Sequence, residues 1–331
     1  MVGSGSPADA RVIEGADILL TTCGRLGPSE RIAIICDTTT RAVGDVLAER
    51  AKRISSNVHL VEVTPYAMHG EEPPANAAEQ MLLADLCLGV TAKSMVHTRA
   101  RKAAGQKGTR YLSLPDYSLE LLAHESLRAD FAARGAIGDR IAAVFTNGSV
   151  ARITTPAGTD ITLDIAGRIG ASTPGFVIKP GEMSSPPDIE CYVAPLENGS
   201  NGTVVVDGSI PYPTLGLLRE PVRLTVKDGR IVDVASNVAA LAEELRAVLK
   251  SAGSDKVYVL AECGVGLNDL AQLSGIMLTD EGAAGTMHFG FGSNFSIGGL
   301  NEVPFHLDVV MREPTLTVDG TIIIEQGQPL V

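Results

Sequence analysis

Across residues 1–140, two patterns of hydrophobic and polar positions alternate along the chain. The unbroken apolar runs are "RIAIICD", "NVHLVEV", "LLADLCLGV" and "RYLSLP". Segments with helical spacing lie between them, and a long amphipathic segment, "SLELLAHESLRADFAARGA", closes the region. Continuous apolar strands that alternate with helices are typical of a parallel sheet covered on both faces. We therefore predict an N-terminal α/β domain with a largely parallel sheet.

The pattern changes in residues 141–331, where polar and apolar residues alternate around short turns. Three segments have this hairpin signature, namely "RITTPAGTDITLDI", "VRLTVKDGRIVDV" and "TLTVDGTIII". A helical pattern interrupts them at "NVAALAEELRAVLKSAG", residues 237–253. The chain is therefore predicted to be of the α/β class, with a mainly antiparallel α+β domain as its second part.

One strand of the second part, "PFHLDVVM", carries the clearest chemical signal. His306 and Asp308 are two residues apart, so a β-strand places both side chains on the same face. Two polar groups on one face of an apolar strand must be hydrogen-bonded, paired or bound to something. An imidazole and a carboxylate in this arrangement suit a metal ion.

Three other segments bring acidic or imidazole side chains next to turn residues. Glu190 lies in "PPDIECYV", Glu262 ends the strand "VYVLA" before a glycine-rich turn, and His288 follows Asp280 and Glu281 in "TDEGAAGTMHFGFGSN". Taken singly, such a glutamate is more often solvated or a turn cap, and such a histidine can be a core residue. Together, these donors are typical of hydrolytic or non-haem iron centres rather than structural zinc sites. The second domain is therefore expected to carry a metal site.

Composition narrows the class of protein. Of the 331 residues, 45% are hydrophobic and 20% are charged, and the formal net charge is −12. Nucleic acids and anionic membranes repel an acidic chain, so neither is an expected partner. The sequence has no apolar run long enough for a membrane span, no signal-peptide core, no glycine-rich nucleotide motif and five scattered cysteines. We expect a cytoplasmic protein with reduced thiols and no nucleotide cofactor.

The ordered segments "IECYVAPLENGSNGTVV", "AECGVGLN", "DEGAAGTMHFGFGSN" and "FHLDVVM" resemble the M29 metallo-aminopeptidases of the aminopeptidase T or thermophilic aminopeptidase type. They also resemble a relative of these enzymes, 2,5-dihydroxypyridine 5,6-dioxygenase, a mononuclear iron(II) enzyme that cleaves an aromatic ring. The resemblance covers roughly residues 175–328 by ordered motifs, and the N-terminal half only by its α/β pattern. It is more specific for the superfamily than for the reaction.

The resemblance to the peptidases implies a role for five polar residues. Glu190 matches a glutamate that serves a dinuclear centre or acts as a general base, and Glu262 matches a metal-binding glutamate. His288 matches a metal-binding histidine, and His306 with Asp308 matches the closing pair of ligands. The implied centre therefore has one catalytic glutamate and four metal ligands, which would hold one or two divalent transition-metal ions (zinc, manganese, cobalt or iron).

The resemblance to the dioxygenase has larger departures. The first iron-binding histidine of that enzyme falls at Glu262 here, and its serine ligand falls at Gly290. His306 and Asp308 match its remaining ligands. A set of two histidines and one carboxylate, which is typical of non-haem iron, would therefore require His288 to take part.

These observations lead to one main hypothesis and two alternatives. The main hypothesis is a metal-dependent, aminopeptidase-like hydrolase that cleaves an amide or peptide-like C–N bond in a small molecule or short peptide. The metal would polarise the carbonyl group, and Glu190 would accept a proton from bound water. The first alternative is a non-haem iron(II) dioxygenase that opens a hydroxylated N-heteroaromatic ring. The second is a non-catalytic binding or scaffold protein.

The C-terminal segment "TIIIEQGQPLV" predicts self-association. A monomer would leave this apolar strand and tail at a sheet edge, and natural proteins usually cover such edges, blunt them with charge or pair them with a partner. Relatives of this kind are commonly dimers, and a symmetric dimer covers both copies with one patch. We therefore expect a homodimer or a higher homo-oligomer.

Overall fold

The computed structural model describes residues 7–331 of the chain. Its α-helices, in chain order, are α1 (Pro7–Ile18), α2 (Arg41–Ala51), α3 (Ala75–Leu83), α4 (Arg99–Lys107), α5 (Leu119–Leu122), α6 (Phe131–Asn147), α7 (Ala239–Ser251) and α8 (Met277–Asp280). Shorter π- or 3₁₀-helical turns lie at Leu19–Cys23, Glu125–Arg128, Asp255–Tyr258 and Phe295–Ile297.

The strands are numbered in the same way. They are β1 (Arg31–Asp37), β2 (Asn57–Val63), β3 (Leu86–Val90), β4 (Arg110–Ser113), β5 (Val150–Thr154), β6 (Asp160–Asp164), β7 (Ala171–Thr173), β8 (Met183–Ser184), β9 (Glu190–Val193) and β10 (Asn201–Val206). The chain continues with β11 (Ser209–Ile210), β12 (Gly216–Leu217), β13 (Val222–Lys227), β14 (Arg230–Ser236), β15 (Leu260–Gly266), β16 (Thr286–Gly292), β17 (His306–Arg312), β18 (Thr315–Val318), β19 (Thr321–Glu325) and β20 (Gln328–Pro329).

The chain divides into two compact units. One contains the residues up to Phe131 together with Gly175–Pro186, and the other contains Ala132–Pro174 and Pro187–Val331. The second unit begins at Ala132, and the first also includes Gly175–Pro186, so the units are not separated by a single boundary in the chain. The domain limits 1–140 and 141–331 therefore remain a prediction from the sequence.

The first unit is built on a parallel sheet with the strand order β2-β1-β3-β4-β8. Strands β3 and β4 are buried along their whole length, and β1 is buried at all but its first residue. Burial of both faces explains why these strands are continuous apolar runs in the sequence. The predicted parallel sheet is confirmed, and β8 adds a short strand from later in the chain.

The predicted amphipathic segment "SLELLAHESLRADFAARGA" is divided into three helical pieces rather than one. The Ser118 side chain accepts a hydrogen bond from the backbone N–H of Leu121 and caps α5. The His124 side chain accepts from the N–H of Ser126 and begins a 3₁₀ turn. The amphipathic segment is therefore interrupted, because polar side chains that bind backbone N–H groups start new helices. The third piece, α6, extends beyond the predicted segment to Asn147.

The second unit contains two antiparallel sheets, with the strand orders β14-β13-β10-β6-β5-β18-β19-β20 and β12-β11-β17-β16-β15-β9-β7. The three predicted hairpins are confirmed as β5–β6, β13–β14 and β18–β19. The β13–β14 hairpin turns at Asp228 and Gly229, whose φ angles are 47° and 75°. Asp and Gly tolerate this left-handed conformation better than other residues. The predicted α/β class, with parallel and antiparallel parts, is confirmed.

The C-terminal segment folds back on its own unit. Strand β20 pairs with β19, and Ile323 and Ile324 are buried, while Ile322 and Leu330 stay 45% and 56% exposed. This short closing strand leaves a small apolar surface at the sheet edge. Self-association therefore remains a prediction.

Two general features of the chain bear on the sequence predictions. Within residues 7–331, no helix combines the length and the apolar character needed to cross a bilayer. The five cysteines are buried and free of disulfide bonds.

Asp37 holds together the ends of β1 and β3 in the first unit. Its buried carboxylate accepts hydrogen bonds from the backbone N–H of Thr39 at 2.9 Å and from that of Ala92 at 2.7 Å. Burial alone would raise the pKa of Asp37, but the hydrogen bonds from Thr39 and Ala92 outweigh it and lower the pKa. The ionised carboxylate is therefore part of the folded structure.

We expect Asp37→Asn to lower the free energy of unfolding at pH 7 by about 1–3 kcal/mol, because it weakens these charge-assisted bonds. A carboxyl group with a depressed folded-state pKa stabilises the fold above its ordinary pKa and loses this effect as the pH falls through the folded value. Urea titrations at pH 7 and at about pH 3 should therefore show that the difference from wild type shrinks in acid. Asp45→Asn, in an exposed ion pair with Arg41, is the control and should change stability by less than about 0.5 kcal/mol. An equal loss in both variants would contradict the assignment.

Candidate metal centre

The five side chains selected from the sequence lie on adjacent strands in the middle of one antiparallel sheet of the second unit. Glu190 is on β9, Glu262 on β15, His288 on β16, and His306 with Asp308 on β17. The structure therefore brings all five together, from segments that span more than a hundred residues of the chain.

Strand register puts these side chains on one face of the sheet. Gly290 of β16 is directly opposite both Glu262 of β15 and Asp308 of β17. Residues directly opposite in an antiparallel pair point to the same side, and so do residues two apart in one strand. His288 is two residues from Gly290, and His306 is two residues from Asp308, so both imidazoles share the face of the carboxylates.

Strand β15 differs from its prediction. The sequence placed Glu262 at a strand end followed by a glycine-rich turn, whereas the strand begins at Leu260 and continues to Gly266. The reason is that Gly264 pairs with His288, and a Cβ atom on Gly264 would lie 2.0 Å from the imidazole Nε2. Gly264 therefore lies under the His288 ring inside a continuous strand, and it does not mark a turn.

A second glycine on β16 serves the other imidazole. A Cβ atom on Gly290 would lie 2.4 Å from His306 Nε2 and 3.0 Å from Glu262 Cβ. Glycine is the residue that lets a side chain approach the backbone this closely. Gly264 and Gly290 thus leave space directly over the sheet for the imidazole rings of His288 and His306.

The side-chain atoms form two groups that share Glu262. Glu262 Oε1 lies 3.9 Å from His288 Nε2, and Glu262 Oε2 lies 3.3 Å from His306 Nε2. His288 Nε2 is also 3.2 Å from Glu190 Oε2, and His306 Nε2 is 3.2 Å from Asp308 Oδ1. In each group, the potential ligand atoms lie within 4.8 Å of one another. Either group has the donors and the spacing to hold a divalent metal ion.

The two groups differ in solvent access. Glu190, Glu262 and Asp308 are buried, and His288 is 1% exposed, whereas the His306 side chain is 33% exposed. The cluster therefore meets solvent on the His306 side. The group that contains Glu190 and His288 lies inside the protein.

Electrostatic coupling within the cluster is strong. Burial alone would lower the pKa of each imidazole, but Glu190 and Glu262 raise the pKa of His288, and Asp308 and Glu262 raise that of His306. Burial would raise the pKa of Asp308, but His306 and His288 lower it to about 2. The carboxylates thus favour cationic partners, and a metal ion can replace the protons of the imidazoles.

Two buried atoms of the inner group also fit a metal site. Glu190 Oε2 and His288 Nδ1 are buried with no hydrogen-bond partner, although Glu190 Oε2 lies close to His288 Nε2. Buried polar atoms are normally hydrogen-bonded, so such exceptions need an explanation. A set of carboxylate oxygens and imidazole nitrogens with unused lone pairs suits a divalent transition metal.

Two further acidic residues border the cluster. Asp188 is buried next to Glu190, and its Oδ1 has no hydrogen-bond partner. Burial raises the pKa of Asp188 and of Glu281, and the neighbouring carboxylates Glu190 and Asp308 raise them further. Sequence reasoning missed Asp188, although Asp188 and Glu190 have the same two-residue spacing as His306 and Asp308.

Asp280 has a different environment. The sequence grouped it with Glu281 and His288, but its carboxylate accepts hydrogen bonds from the backbone N–H groups of Ser274 and Gly275 at 2.7 and 2.8 Å. It therefore holds the loop before α8.

Comparison with known proteins identifies relatives over most of the chain. A sequence model described as 2,5-dihydroxypyridine 5,6-dioxygenase (NicX) matches residues 17–331. The curated 2,5-dihydroxypyridine 5,6-dioxygenase of Pseudomonas putida KT2440 is 25% identical over 308 residues, which cover 84% of each chain.

Solved structures support the same fold. The structure of 2,5-dihydroxypyridine dioxygenase from P. putida KT2440 matches with a TM-score of 0.84 at 21% identity and covers 99% of each chain. Wild-type AmpT from Thermus thermophilus matches with a TM-score of 0.69 at 17% identity and covers 98% of this chain and all of that one. Both likenesses concern the fold, and the family model confirms the dioxygenase part of the resemblance seen in the sequence motifs.

The prediction of a metal-dependent hydrolase of amide or peptide-like bonds is wrong, and so are the aminopeptidase-like and hydrolase descriptions. The family model and the curated relative are both dioxygenases, and the likeness to AmpT at 17% identity concerns the fold alone. The error has a physical origin, because a cluster of imidazoles and carboxylates specifies metal binding but leaves the reaction open. The first alternative, a ring-cleaving dioxygenase, agrees better with these findings.

We expect Gly264→Ala to weaken Mn²⁺ binding at least about tenfold, as is typical when a metal ligand loses its orientation. The added methyl group would overlap the His288 ring and force it away from Glu262. Isothermal titration calorimetry with Mn²⁺ measures this effect. Gly105→Ala in α4 is the control, because its Cβ atom would meet its nearest neighbour at an ordinary 3.6 Å. Wild-type affinity in Gly264→Ala would show that the ring position is unimportant.

We also expect metal-free protein to be less stable at pH 9 than at pH 6. The folded-state pKa values of His288 and His306 are raised, so their stabilising effect is complete below the ordinary histidine pKa and is lost as the pH rises through the folded values. Thermal unfolding after chelator treatment measures this dependence. His288→Gln should flatten it, and a slope unchanged by this substitution would assign the effect to other groups.

Proposed function

Because the chain belongs to the 2,5-dihydroxypyridine 5,6-dioxygenase family, we propose that it is a non-haem iron(II) dioxygenase that opens the ring of a small hydroxylated N-heteroaromatic compound. The match of the family model to residues 17–331 is the observation that carries the proposal. The mixed set of nitrogen and oxygen donors supports it, because imidazole and carboxylate groups are the ligands that non-haem iron(II) oxygenases use, here with one carboxylate more than the usual two histidines and one carboxylate. We further propose that the enzyme acts in the cytoplasm.

Glu262, His306 and Asp308 would hold the ion, because their donor atoms converge and border the solvent-accessible side. His288 would supply the second imidazole from the other side of Glu262, since it lies 3.9 Å from a Glu262 oxygen. Iron(II) bound there would supply the one-electron chemistry that lets dioxygen react with an aromatic ring. If metal analysis of the purified protein gives more than one ion per chain, the second ion would bind at the group of Glu190, Glu262 and His288.

Glu190 is proposed as the proton acceptor. Burial raises the pKa of its carboxyl group, although the nearby imidazole of His288 opposes this effect. A carboxylate with a raised pKa is a better general base near neutral pH, and a ring hydroxyl of the substrate is the group that must lose a proton.

Burial of the inner side chains has a further role in this proposal. Glu190, Glu262 and His288 are at most 8% exposed, so little bulk water reaches them. Exclusion of water strengthens electrostatic interactions and limits side reactions of activated oxygen. The substrate and dioxygen would approach from the side of His306, the most exposed of the five residues.

The test is oxygen consumption by protein reconstituted anaerobically with Fe²⁺, with 2,5-dihydroxypyridine and related hydroxypyridines as probes. We expect loss of ring absorbance only in the presence of both iron and oxygen, with one O₂ consumed for each ring opened. His306→Ala and Asp308→Ala should reduce the rate at least about a hundredfold, because a metal centre supplies several kcal/mol of the catalytic effect. His59→Ala, at a histidine of β2 in the first unit, is the control and should retain activity. Ring opening that proceeds without oxygen would refute the proposal.

A further inference from the structure

The loop between β16 and β17, residues 293–305, is in contact with the candidate ligand His306. The backbone carbonyl of Ser293 lies 2.9 Å from His306 Nδ1, and His306 Nε2 faces Asp308. A carbonyl oxygen only accepts hydrogen bonds, so Nδ1 must carry the proton in this contact. In the neutral ring, Nε2 is then the free nitrogen and points into the cluster. The position of Ser293 thus sets both the tautomer and the orientation of the ring.

An ion pair, Arg168 with Glu197, contacts this loop from outside, and Lys256 contacts it at Asn301 and Glu302. Glu197 Oε1 accepts hydrogen bonds from the backbone N–H of Leu300 at 2.7 Å and from Asn294 Nδ2 at 3.0 Å. Glu197 Oε2 accepts from Arg168 Nη2 at 2.6 Å, and Arg168 Nη1 donates to the carbonyl of Gly298 at 2.7 Å. The pair therefore makes three hydrogen bonds to three different residues of the loop.

The ion pair is shielded from solvent. The Arg168 and Glu197 side chains are 10% and 25% exposed, in contrast to Arg152 and Asp160 of the same unit, which are 58% and 56% exposed. Charge-assisted hydrogen bonds in a partly buried place are stronger than surface ion pairs, which contribute little. Arg168 and Glu197 are therefore able to fix the loop.

The effect reaches Ser293 through the neighbouring residue. The Nδ2 group of Asn294 donates a hydrogen bond to Glu197. The Oδ1 atom of Asn294 accepts a hydrogen bond from the backbone N–H of Asn301 at 2.8 Å, across the loop. Asn294 is fully buried. Because Ser293 directly precedes Asn294, displacement of this side chain moves the carbonyl that orients His306.

We propose that Arg168 and Glu197 are positioning residues of the metal centre. They hold the loop so that the Ser293 carbonyl keeps His306 Nε2 directed at Asp308, where an ion would bind, and neither Arg168 nor Glu197 is a candidate ligand. The inference rests on the metal site of the proposed function and is independent of the reaction that the site catalyses.

The test compares Glu197→Gln and Arg168→Lys with Arg152→Gln as the matched control. We expect Mn²⁺ affinity, measured by calorimetry without substrate, to fall about 10- to 100-fold in Glu197→Gln, as for other residues that orient a metal ligand. Arg168→Lys, which cannot reach both Glu197 and Gly298 with one flat group, should show a smaller loss. The control should bind Mn²⁺ like wild type.

A spectroscopic readout separates positioning from simple stabilisation. In zinc-loaded wild-type protein, long-range ¹H–¹⁵N spectra of the histidine rings should show His306 protonated at Nδ1, with its signal assigned by its loss in His306→Asn. Glu197→Gln should shift or broaden that signal while leaving the signal of His59 in the first unit unchanged. A change restricted to the melting temperature would mean that the pair is only structural and would overturn the inference.

Other outcomes are equally decisive. Affinity within twofold of wild type in Arg168→Lys and in folded Glu197→Gln refutes the positioning role, and so does an equal loss in Arg152→Gln. If Glu197→Gln does not fold, Arg168→Lys alone decides by the same criterion. Wild-type protein that binds Mn²⁺ but consumes no oxygen refutes the dioxygenase and leaves this result standing, whereas wild-type protein that binds no metal refutes the inference itself.

Discussion

Burial of several acidic groups on one sheet face is the constraint on which the second unit depends. Glu190, Glu262 and Asp308 are buried near two imidazoles, those of His288 and His306. The cluster therefore has more carboxylates than imidazoles that can carry a positive charge. Charged groups removed from water are costly unless they are paired. The cluster must therefore be neutralised, by protons on the imidazoles and on Glu190 or by metal ions. Glu262 faces one imidazole with each of its oxygens, so it links the His288 group to the His306 group.

The antiparallel sheet satisfies this constraint with very few residues. Central strands are paired on both sides, so their backbones are fixed and side chains project from known positions. Gly264 and Gly290 then remove side chains at the points where His288 and His306 must lie over the sheet. Glycine weakens a strand interior, so its retention at these points is explained by the close approach of the rings. Sheet register and two missing side chains are sufficient to assemble donors from distant segments.

The sequence was informative where short-range geometry decides the outcome. The spacing of His306 and Asp308 was enough to place both on one face, and the Asp-Gly turns were enough to locate two hairpins. It was uninformative where long-range contacts decide. The glycines of β15 read as a turn because the ring that lies over Gly264 comes from another strand. The loop contacts of Arg168 likewise have no local signature, since they join segments that are distant in the sequence.

Solvent access, more than ligand identity, separates the roles within the cluster. The two groups that share Glu262 have similar donors, and from the sequence both hydrolysis and oxygenation were compatible with them. They differ because His288 is 1% exposed, whereas the His306 side chain is 33% exposed. Molecules from solution therefore meet His306 before any other member of the cluster. Two imidazoles with similar carboxylate partners thus differ in their access to solvent, and the depth of burial alone makes the difference.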